Sequence, residues 1–502
     1  MCIDELTPQR VFHYFSEIAA IPHGSRNTSE ISEYIVKFAK DHNFKYRQDE
    51  LGNVIIWKPA QNCTTSETVI LQGHLDMVCE KEPNCDIDME AEGLKLCVDG
   101  DELKAIGTTL GGDDGIAVAM MLAILEDMEM THPNLEAVFT VDEEIGMLGA
   151  AAIDTSDIKG HIMLNIDSEE EGVFTVSCAG GVVAKCELPI EVEQAEGMLV
   201  QIKVGGLIGG HSGIEIHKNR ANANVLMGRT LQTLRDSIGI KLVDIDGGAK
   251  DNAIPIETIA TVMLTGDNLK DSSDILDAVY SLLRSLRDTY ASEYATTDPD
   301  VSLLMRPLGE LAPYVMTRES TDRVIAMLRT LPNGIQRMSP DVSGLVQTSL
   351  NMGILETESV TRMNCYAMPC KTPVKVTATY CVRSSVASEK NELTSRLCET
   401  MKMLGGKVTL HGDYPGWEYN KTSVLRDIMV SVYSDQYGES PAIEAVHAGV
   451  ECGYFAAKID GLDCVSYGPM LKEIHTYRES MNIPSVERTY NMTKEVLRRL
   501  AR

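Results

Sequence analysis

The sequence predicts an α/β protein: a mixed, mostly parallel sheet covered by helices, interrupted by an inserted α+β unit. Apolar runs of strand length alternate with amphipathic helical stretches through the first third, and the same alternation returns near the C-terminus. Between them, after Gly180-Gly181, the texture changes to amphipathic strands separated by helices. The length of 502 residues also exceeds what one hydrophobic core normally serves. The expected division is therefore 1–181 with 413–502 as one discontinuous domain and 182–412 as the insertion.

In chain order, residues 8–20 and 30–42 carry helical periodicity, and 68–72 is a short apolar run that reads as a buried strand. A helix follows over 115–128, a strand over 135–141, a short helix over 147–153 and a strand over 161–166. The insertion reads as strands at 199–204, 258–264 and 375–382, with helices at 222–238, 273–287, 320–331 and 388–404. The closing segment predicts a helix at 421–437, a strand at 463–467 and a helix at 485–500. Strand and helix alternating in this way favour a sheet whose strands run parallel under covering helices.

Composition narrows the function classes. The hydrophobic fraction is 44% and the charged fraction 24%, ordinary globular usage, and no apolar stretch is long enough to cross a bilayer. The stretch Met1-Cys2-Ile3-Asp4-Glu5-Leu6 carries acids where a signal peptide carries Lys or Arg. Thirteen cysteines, scattered singly without a CxxC pair, fit reduced thiols in a cytoplasm. A net charge of -29 opposes binding to nucleic acid or anionic membrane and leaves many carboxylates for divalent metals.

Several of those carboxylates stand at predicted strand ends. Glu143 and Glu144 follow the apolar run 137–141 and Asp142; adjacent side chains there point different ways, so one acid can hold a cation while the other handles a proton. By itself the pair also reads as a solvated acidic turn. His74 and Asp76 follow the run 68–72, two residues apart, the spacing of an imidazole ligand and an acid that orients it. Asp113 and Asp114 sit in Gly111-Gly112-Asp113-Asp114-Gly115 at a predicted helix start, where either acid can cap the helix or turn toward cations. Asp167 is the first acid after the run 161–166, and His475 follows the Gly468-Pro469 turn. Open α/β sheets form their sites outside the carboxyl ends of the strands, where all of these are predicted to lie. Two imidazoles and three carboxylates suffice for two cations if one carboxylate bridges, leaving one for proton transfer, which is the inventory of a cocatalytic hydrolase.

These segments resemble the M20 metallopeptidases, most closely the branch of bacterial aminoacyl-histidine dipeptidases, over nearly the whole chain. The similarity rests on Gln72-Gly73-His74-Leu75-Asp76-Met77-Val78, Leu110-Gly111-Gly112-Asp113-Asp114-Gly115, Asp142-Glu143-Glu144-Ile145-Gly146 and Asn165-Ile166-Asp167-Ser168-Glu169. More specific to the branch are Gly209-Gly210-His211-Ser212-Gly213, Arg220-Ala221-Asn222-Ala223-Asn224 and His447-Ala448-Gly449-Val450-Glu451-Cys452-Gly453. The resemblance implies two zinc ions, with Mn or Co as substitutes: His74, Asp113 and Asp167 on one, Asp113, Glu144 and His475 on the other. It makes Glu143 the general base and Asp76 the residue that orients His74. The insertion becomes a lid whose His211 stabilises the oxyanion, whose Asn252 binds substrate and whose Arg383 clamps the substrate carboxylate, while the backbone at Gly449, on the catalytic domain, completes the pocket.

The expected activity is a cytoplasmic exopeptidase for unblocked dipeptides, with a preference for Xaa-His such as β-Ala-His, and a homodimer is compatible with it. The competing readings are a broader dipeptidase or tripeptidase, an N-acyl amino acid amidohydrolase, and a metal-dependent binding protein without turnover.

Overall fold

The computed structural model describes residues 3–265, 272–311, 314–363 and 369–502; the first two residues of the N-terminal stretch read above lie outside it. Its chain forms two compact units, Met1–Cys178 with Trp417–Ala445 and Val450–Arg502, and Ala179–Gly416 with Val446–Gly449.

The first unit is built on a sheet of strands β1 (Lys45–Gln48), β2 (Val54–Lys58), β3 (Thr68–His74), β4 (Asn134–Thr140), β5 (Ile162–Asn165), β6 (Val173–Cys178), β7 (Ala442–Val446) and β8 (Asp463–Ser466). Their order across the sheet is β1-β2-β4-β3-β5-β8-β6-β7. The centre is parallel: β3 pairs with β4 and β5, and β5 with β8. Antiparallel pairs flank it, β1 with β2, β2 with β4, and β6 with β8. The strands β3 and β4 are buried along nearly their whole length, as expected of central strands in a parallel sheet covered on both faces.

The helix Gly112–Glu126 is buried from Gly112 through Leu125, in keeping with a sequence apolar on every side. Helices Gln9–Ala19 and Ser29–Asp41 bury one stripe each, including Phe12, Phe15 and Ile18 from the first and Ile31, Ile35 and Phe38 from the second. Those stripes join Ile116, Leu122, Val69, Leu71 and Phe139 in one core. Full burial of each such side chain is worth roughly 1.5–3 kcal/mol. The parallel register aligns His74 with Thr140 and Gln72 with Asn165, so the carboxyl ends of β3, β4 and β5 share one edge.

The second unit holds a nine-stranded sheet in which every described pairing is antiparallel. Helices Ala223–Ser237, Ser272–Glu293, Arg318–Thr330 and Ala387–Met403 belong to it. A separate core, including Leu226, Val262, Leu283, Leu328, Leu350 and Tyr380, fills it. The strands Val346–Met363 and Pro369–Ser384 pair in a register that sets Ser349 opposite Arg383 and Asn351 opposite Cys381. Away from the main sheet, Gly210–His211 pairs with Ala253–Ile254.

Candidate metal centre

At the end of β3, Gln72 and His74 point to one face while Gly73 faces the other. A Cβ at Gly73 would lie 2.5 Å from Asp114 Oδ2, so the glycine makes room for that carboxylate to reach the strand. Asp114 Oδ2 there accepts the His74 N–H at 3.1 Å. Burial, reinforced by the charge of Asp167, holds the Asp114 carboxyl well above the usual carboxylate range.

His74 Nδ1 lies 2.9 Å from the Asp76 backbone carbonyl and 3.5 Å from the Asp76 carboxylate. A carbonyl only accepts, so Nδ1 carries the proton and the lone pair of the neutral ring is on Nε2. Asp76 therefore fixes the His74 ring chiefly through its main chain. Its buried carboxylate has other work: it accepts the Glu143 N–H at 2.9 Å, the Glu144 N–H at 3.3 Å and the Ser25 hydroxyl at 2.8 Å. The chain reaches that position through Asp142, whose φ of 56° is left-handed, so the path turns as soon as β4 ends. One aspartate thus ties the end of β3 to the turn that presents both glutamates.

Asp113 lies between the two imidazoles. Its Oδ1 is 3.1 Å from His74 Nε2 and its Oδ2 is 3.1 Å from His475 Nε2. Burial works against the Asp113 anion, but the hydrogen bonds from His475 and His74 outweigh it and hold this carboxyl below its usual range. Asp167 Oδ1 is 3.7 Å from His74 Nε2. Glu144 Oε1 lies 2.9 Å from His475 Nε2 but is not aligned for a hydrogen bond, and this buried oxygen has no hydrogen-bond donor. Donor atoms of His74, Asp113 and Glu144 lie within 4.8 Å of one another, and so do those of His74, Asp114 and Asp167.

Lone pairs converging with an excess of negative charge are the donor set of a divalent cation. Among the described residues no Lys or Arg pairs with Asp76, Asp113, Asp114, Glu143, Glu144 or Asp167. The charge is met by protons instead. The hydrogen bond to Asp113 and the close approach of the Glu144 carboxylate push His475 up to about 10. Burial, with the charges of Asp113 and Glu144 against that of His74, pushes Asp167 up to about 6. Burial again, with Asp167, Glu451 and Glu144 set against His74, pushes Glu143 up to about 9. These residues fit one or two divalent cations of the imidazole- and carboxylate-binding kind, which would take the place of the protons. His475 keeps 44% of its side chain exposed, so the centre is open on that side.

Of two supporting carboxylates, Glu479 had no signal in the sequence pattern and Glu451 only its place inside a motif. Glu479 accepts from the backbone N–H groups of Leu110 (2.8 Å), Gly111 (3.2 Å), Gly112 (2.8 Å) and Asp113 (3.4 Å). It thereby clamps the turn that carries Asp113, whose peptide bond to Asp114 is cis. Glu451 is fully buried and accepts from Gln72 Nε2 at 2.6 Å and Thr140 Oγ1 at 2.7 Å, joining the ends of β3 and β4; Asn165 at the end of β5 donates to Gln72 Oε1 at 2.6 Å. Gln72 and Glu451 stand inside motifs already noted, which was their only cue.

The other residues singled out from the sequence, His211, Asn252, Arg383 and Gly449, belong to the second unit. His211 Nδ1 accepts the N–H groups of Gly213 and Ile214, both at 3.2 Å, which leaves the proton of the neutral ring on Nε2. Asn252 O accepts the Ser212 N–H at 2.8 Å. Arg383 is buried, donates through Nη1 to the Tyr414 hydroxyl at 2.8 Å, and has no carboxylate partner among the described residues.

Comparison with known proteins gives a consistent result. The family described as Peptidase family M20/M25/M40 matches residues 70–499. The Escherichia coli (strain K12) protein named cytosol non-specific dipeptidase is 33% identical over 502 residues, covering 99% of this chain and 99% of its own. The crystal structure of aminoacylhistidine dipeptidase from Vibrio alginolyticus superposes with a TM-score of 0.92 at 34% identity, covering 99% of this chain and 98% of that one. The aminopeptidase PepT from Bacillus cereus ATCC 10987, at 15% identity and a TM-score of 0.61 over 99% of this chain and 100% of that one, shares the fold.

Proposed function

The chain belongs to peptidase family M20/M25/M40, and from that premise we propose that it is a di-zinc exopeptidase for unblocked dipeptides, preferring a C-terminal histidine. The observation that carries the reading is the Asp113 carboxylate held between the imidazoles of His74 and His475, with Glu144 and Asp167 alongside. Zinc held by His74, Asp113 and Asp167 at one position, and by Asp113, Glu144 and His475 at the other, would supply the positive charge that polarises a peptide carbonyl and acidifies water.

The remaining work falls to side chains. Glu143 takes the proton of the attacking water and returns it to the leaving amine; the positive charge of bound zinc would keep its carboxylate ionised and able to accept that proton. Asp76 keeps the Glu143 and Glu144 backbone in place. His211 offers its Nε2–H to the oxyanion, Asn252 binds the substrate and Gly449 lends its backbone to the pocket. Arg383, buried without an acid, pairs with the substrate carboxylate, which its planar fork matches in two hydrogen bonds. A cytosolic location and a homodimer complete the reading, the first in line with the name of the E. coli relative.

A broader dipeptidase is the second reading, favoured by the word non-specific in that same name. Zinc-reloaded protein is assayed on β-Ala-His, Ala-His, Ala-Ala, Ala-Ala-Ala and N-acetyl-Ala. The proposal expects turnover of the free-amine dipeptides with the His-terminated pair fastest; equal rates on all dipeptides establish the broad reading, and faster cleavage of N-acetyl-Ala replaces both with an amidohydrolase. Glu143→Gln is expected to lower kcat by about 10²–10⁴-fold with metal content unchanged. Wild-type turnover in that variant removes Glu143 from the mechanism.

A further inference from the structure

His447 opens a motif that the proposed function uses only at Gly449, yet it is built into the second unit with unusual care. It lies in the four-residue excursion Val446–Gly449, which belongs to that unit although the chain on either side belongs to the other. One amide holds the excursion down: the Ala179 N–H donates to both Val446 O and Ala448 O at 3.1 Å. Gly213, the last residue of the Gly-Gly-His-Ser-Gly loop, lies against it. A Cβ there would come within 2.5 Å of His447 O and 2.9 Å of His211 Cε1, so only glycine lets the two motifs meet.

The His447 side chain is 6% exposed. Its Nε2 is 2.7 Å from Ser349 Oγ, and its buried Nδ1 has no partner. Ser349 is 1% exposed and stands opposite Arg383 in the strand register. The Ser349 hydroxyl has His447 as its only side-chain partner among the described residues, so its hydrogen is satisfied only when it donates to Nε2. That assigns the ring proton to Nδ1 and makes it a buried donor without an acceptor. A second such donor lies across the strand pair: Arg383 Nε is also buried without a partner. Burial, and after it the charges of Arg383 and His211, holds His447 down to about 3, so the ring is neutral and carries one N–H.

We infer that His447 is a substrate-binding residue that donates its Nδ1–H to the C-terminal carboxylate of the peptide, sharing that anion with Arg383. The inference rests on the reading that Arg383 clamps a substrate carboxylate. Two orphaned donors on the same unit, one neutral and one cationic, suit an acceptor with two oxygens and a negative charge. They do not suit a C-terminal amide, whose NH2 would confront a donor. Ser349 acts as a positioning residue by fixing the tautomer.

The test compares a dipeptide with its C-terminal amide on zinc-loaded wild type, His447→Gln, Ser349→Ala and Arg383→Lys, with metal content and thermal unfolding recorded for each. The expected result is a rise in KM for the free acid of about ten- to hundredfold in His447→Gln with kcat changed far less, while kcat/KM for the amide stays within about threefold. Ser349→Ala is expected to give a smaller loss in the same direction, and it carries the test by itself if His447→Gln fails to fold. Equal losses on acid and amide, or an unchanged acid-to-amide ratio in both variants, overturn the inference. Discrimination lost in Arg383→Lys but kept in the His447 and Ser349 variants leaves the clamp standing and removes His447 alone. A wild type that does not favour the acid removes the clamp and this inference together.

Discussion

At the scale of single residues, Asp76 ties together both halves of the proposed centre. Its carboxylate receives two main-chain N–H groups from the glutamate turn and one hydroxyl, and its carbonyl holds the His74 ring. Asp76→Ala leaves those donors buried without an acceptor, and loss of such a supporting partner typically costs about 10–100-fold in metal affinity. That loss is expected in a zinc titration of Asp76→Ala with all proposed ligands intact; unchanged affinity would show that the turn holds itself. His447 makes a prediction of the opposite kind, on stability and not on metal. Its folded pKa of about 3 lies below the ordinary value of 6.5, so between those pH values the unfolded chain binds a proton that the folded chain refuses. The stabilisation is therefore present above about pH 6.5 and lost as pH falls toward 3, at up to about 1.4 kcal/mol per pH unit. Burial is the main cause of the shift, the nearby Arg383 and His211 add to it, and Ser349 holds Nε2. In urea unfolding at pH 7 and pH 5, the stability advantage of wild type over His447→Gln is expected to shrink at the lower pH; an advantage that grows would contradict a neutral His447.

At the scale of elements, the turn before helix Gly112–Glu126 is held by a carboxylate from far along the chain. Glu479 accepts four backbone N–H groups at a helix start, where unpaired donors and the helix dipole favour an anion. Glu479→Ala frees that turn, and with it the angle of Asp113. Expected outcomes are a stability loss of about 2–4 kcal/mol and weaker zinc binding, read by denaturant unfolding and metal titration. The same element shows what the sequence does and does not disclose. His74, Asp113, Glu143, Glu144 and Asp167 are legible because each stands within three residues of the end of an apolar run or the start of an apolar helix. Glu479 is not legible, since its partner Asp113 lies 366 positions away and nothing in the local pattern around it marks a buried acid. Glu451 pairs with Gln72 across 379 positions, and only its place inside the motif that starts at His447 marks it. The fold divides in the same way. β3, β4 and the helix after Gly111 follow from hydrophobic period, whereas β1, Lys-Tyr-Arg-Gln, is a partly exposed edge strand with no apolar run to read. The strand Val346–Met363 is longer than any run of its alternation, and its pairing with Pro369–Ser384 and Gly334–Met338 defines it. Spacing leaves Asp113 and Asp114 open, and both carboxylates stand at the centre: Asp113 lies beside both imidazoles, while Asp114 accepts the His74 N–H and has donor atoms within 4.8 Å of those of His74 and Asp167.

At the scale of the whole molecule, each unit has its own hydrophobic core and the proposed ligands lie in the first, so a bound metal would stabilise the first unit directly. The chain carries a net charge of -29, and the first unit concentrates Asp113, Glu144 and Asp167 around two histidines. Without a cation, that crowding is relieved by protons, and His475 in particular is held protonated by Asp113 and Glu144. A histidine must be neutral to ligate, so metal binding displaces protons, and affinity rises with pH through the neutral range. Titration of zinc into the metal-free protein in two buffers of different ionisation enthalpy is expected to show net proton release; net uptake would contradict this charge balance. The same binding energy appears as folding energy. Ligand at about 100 times its Kd adds about 2.7 kcal/mol to the unit that binds it. Since every proposed ligand lies in the first unit, chelation is expected to lower the calorimetric transition of that unit and leave the transition of the second in place. If both transitions fall together by the same amount, the two cores unfold as one cooperative system, and the second unit owes part of its stability to the metal centre.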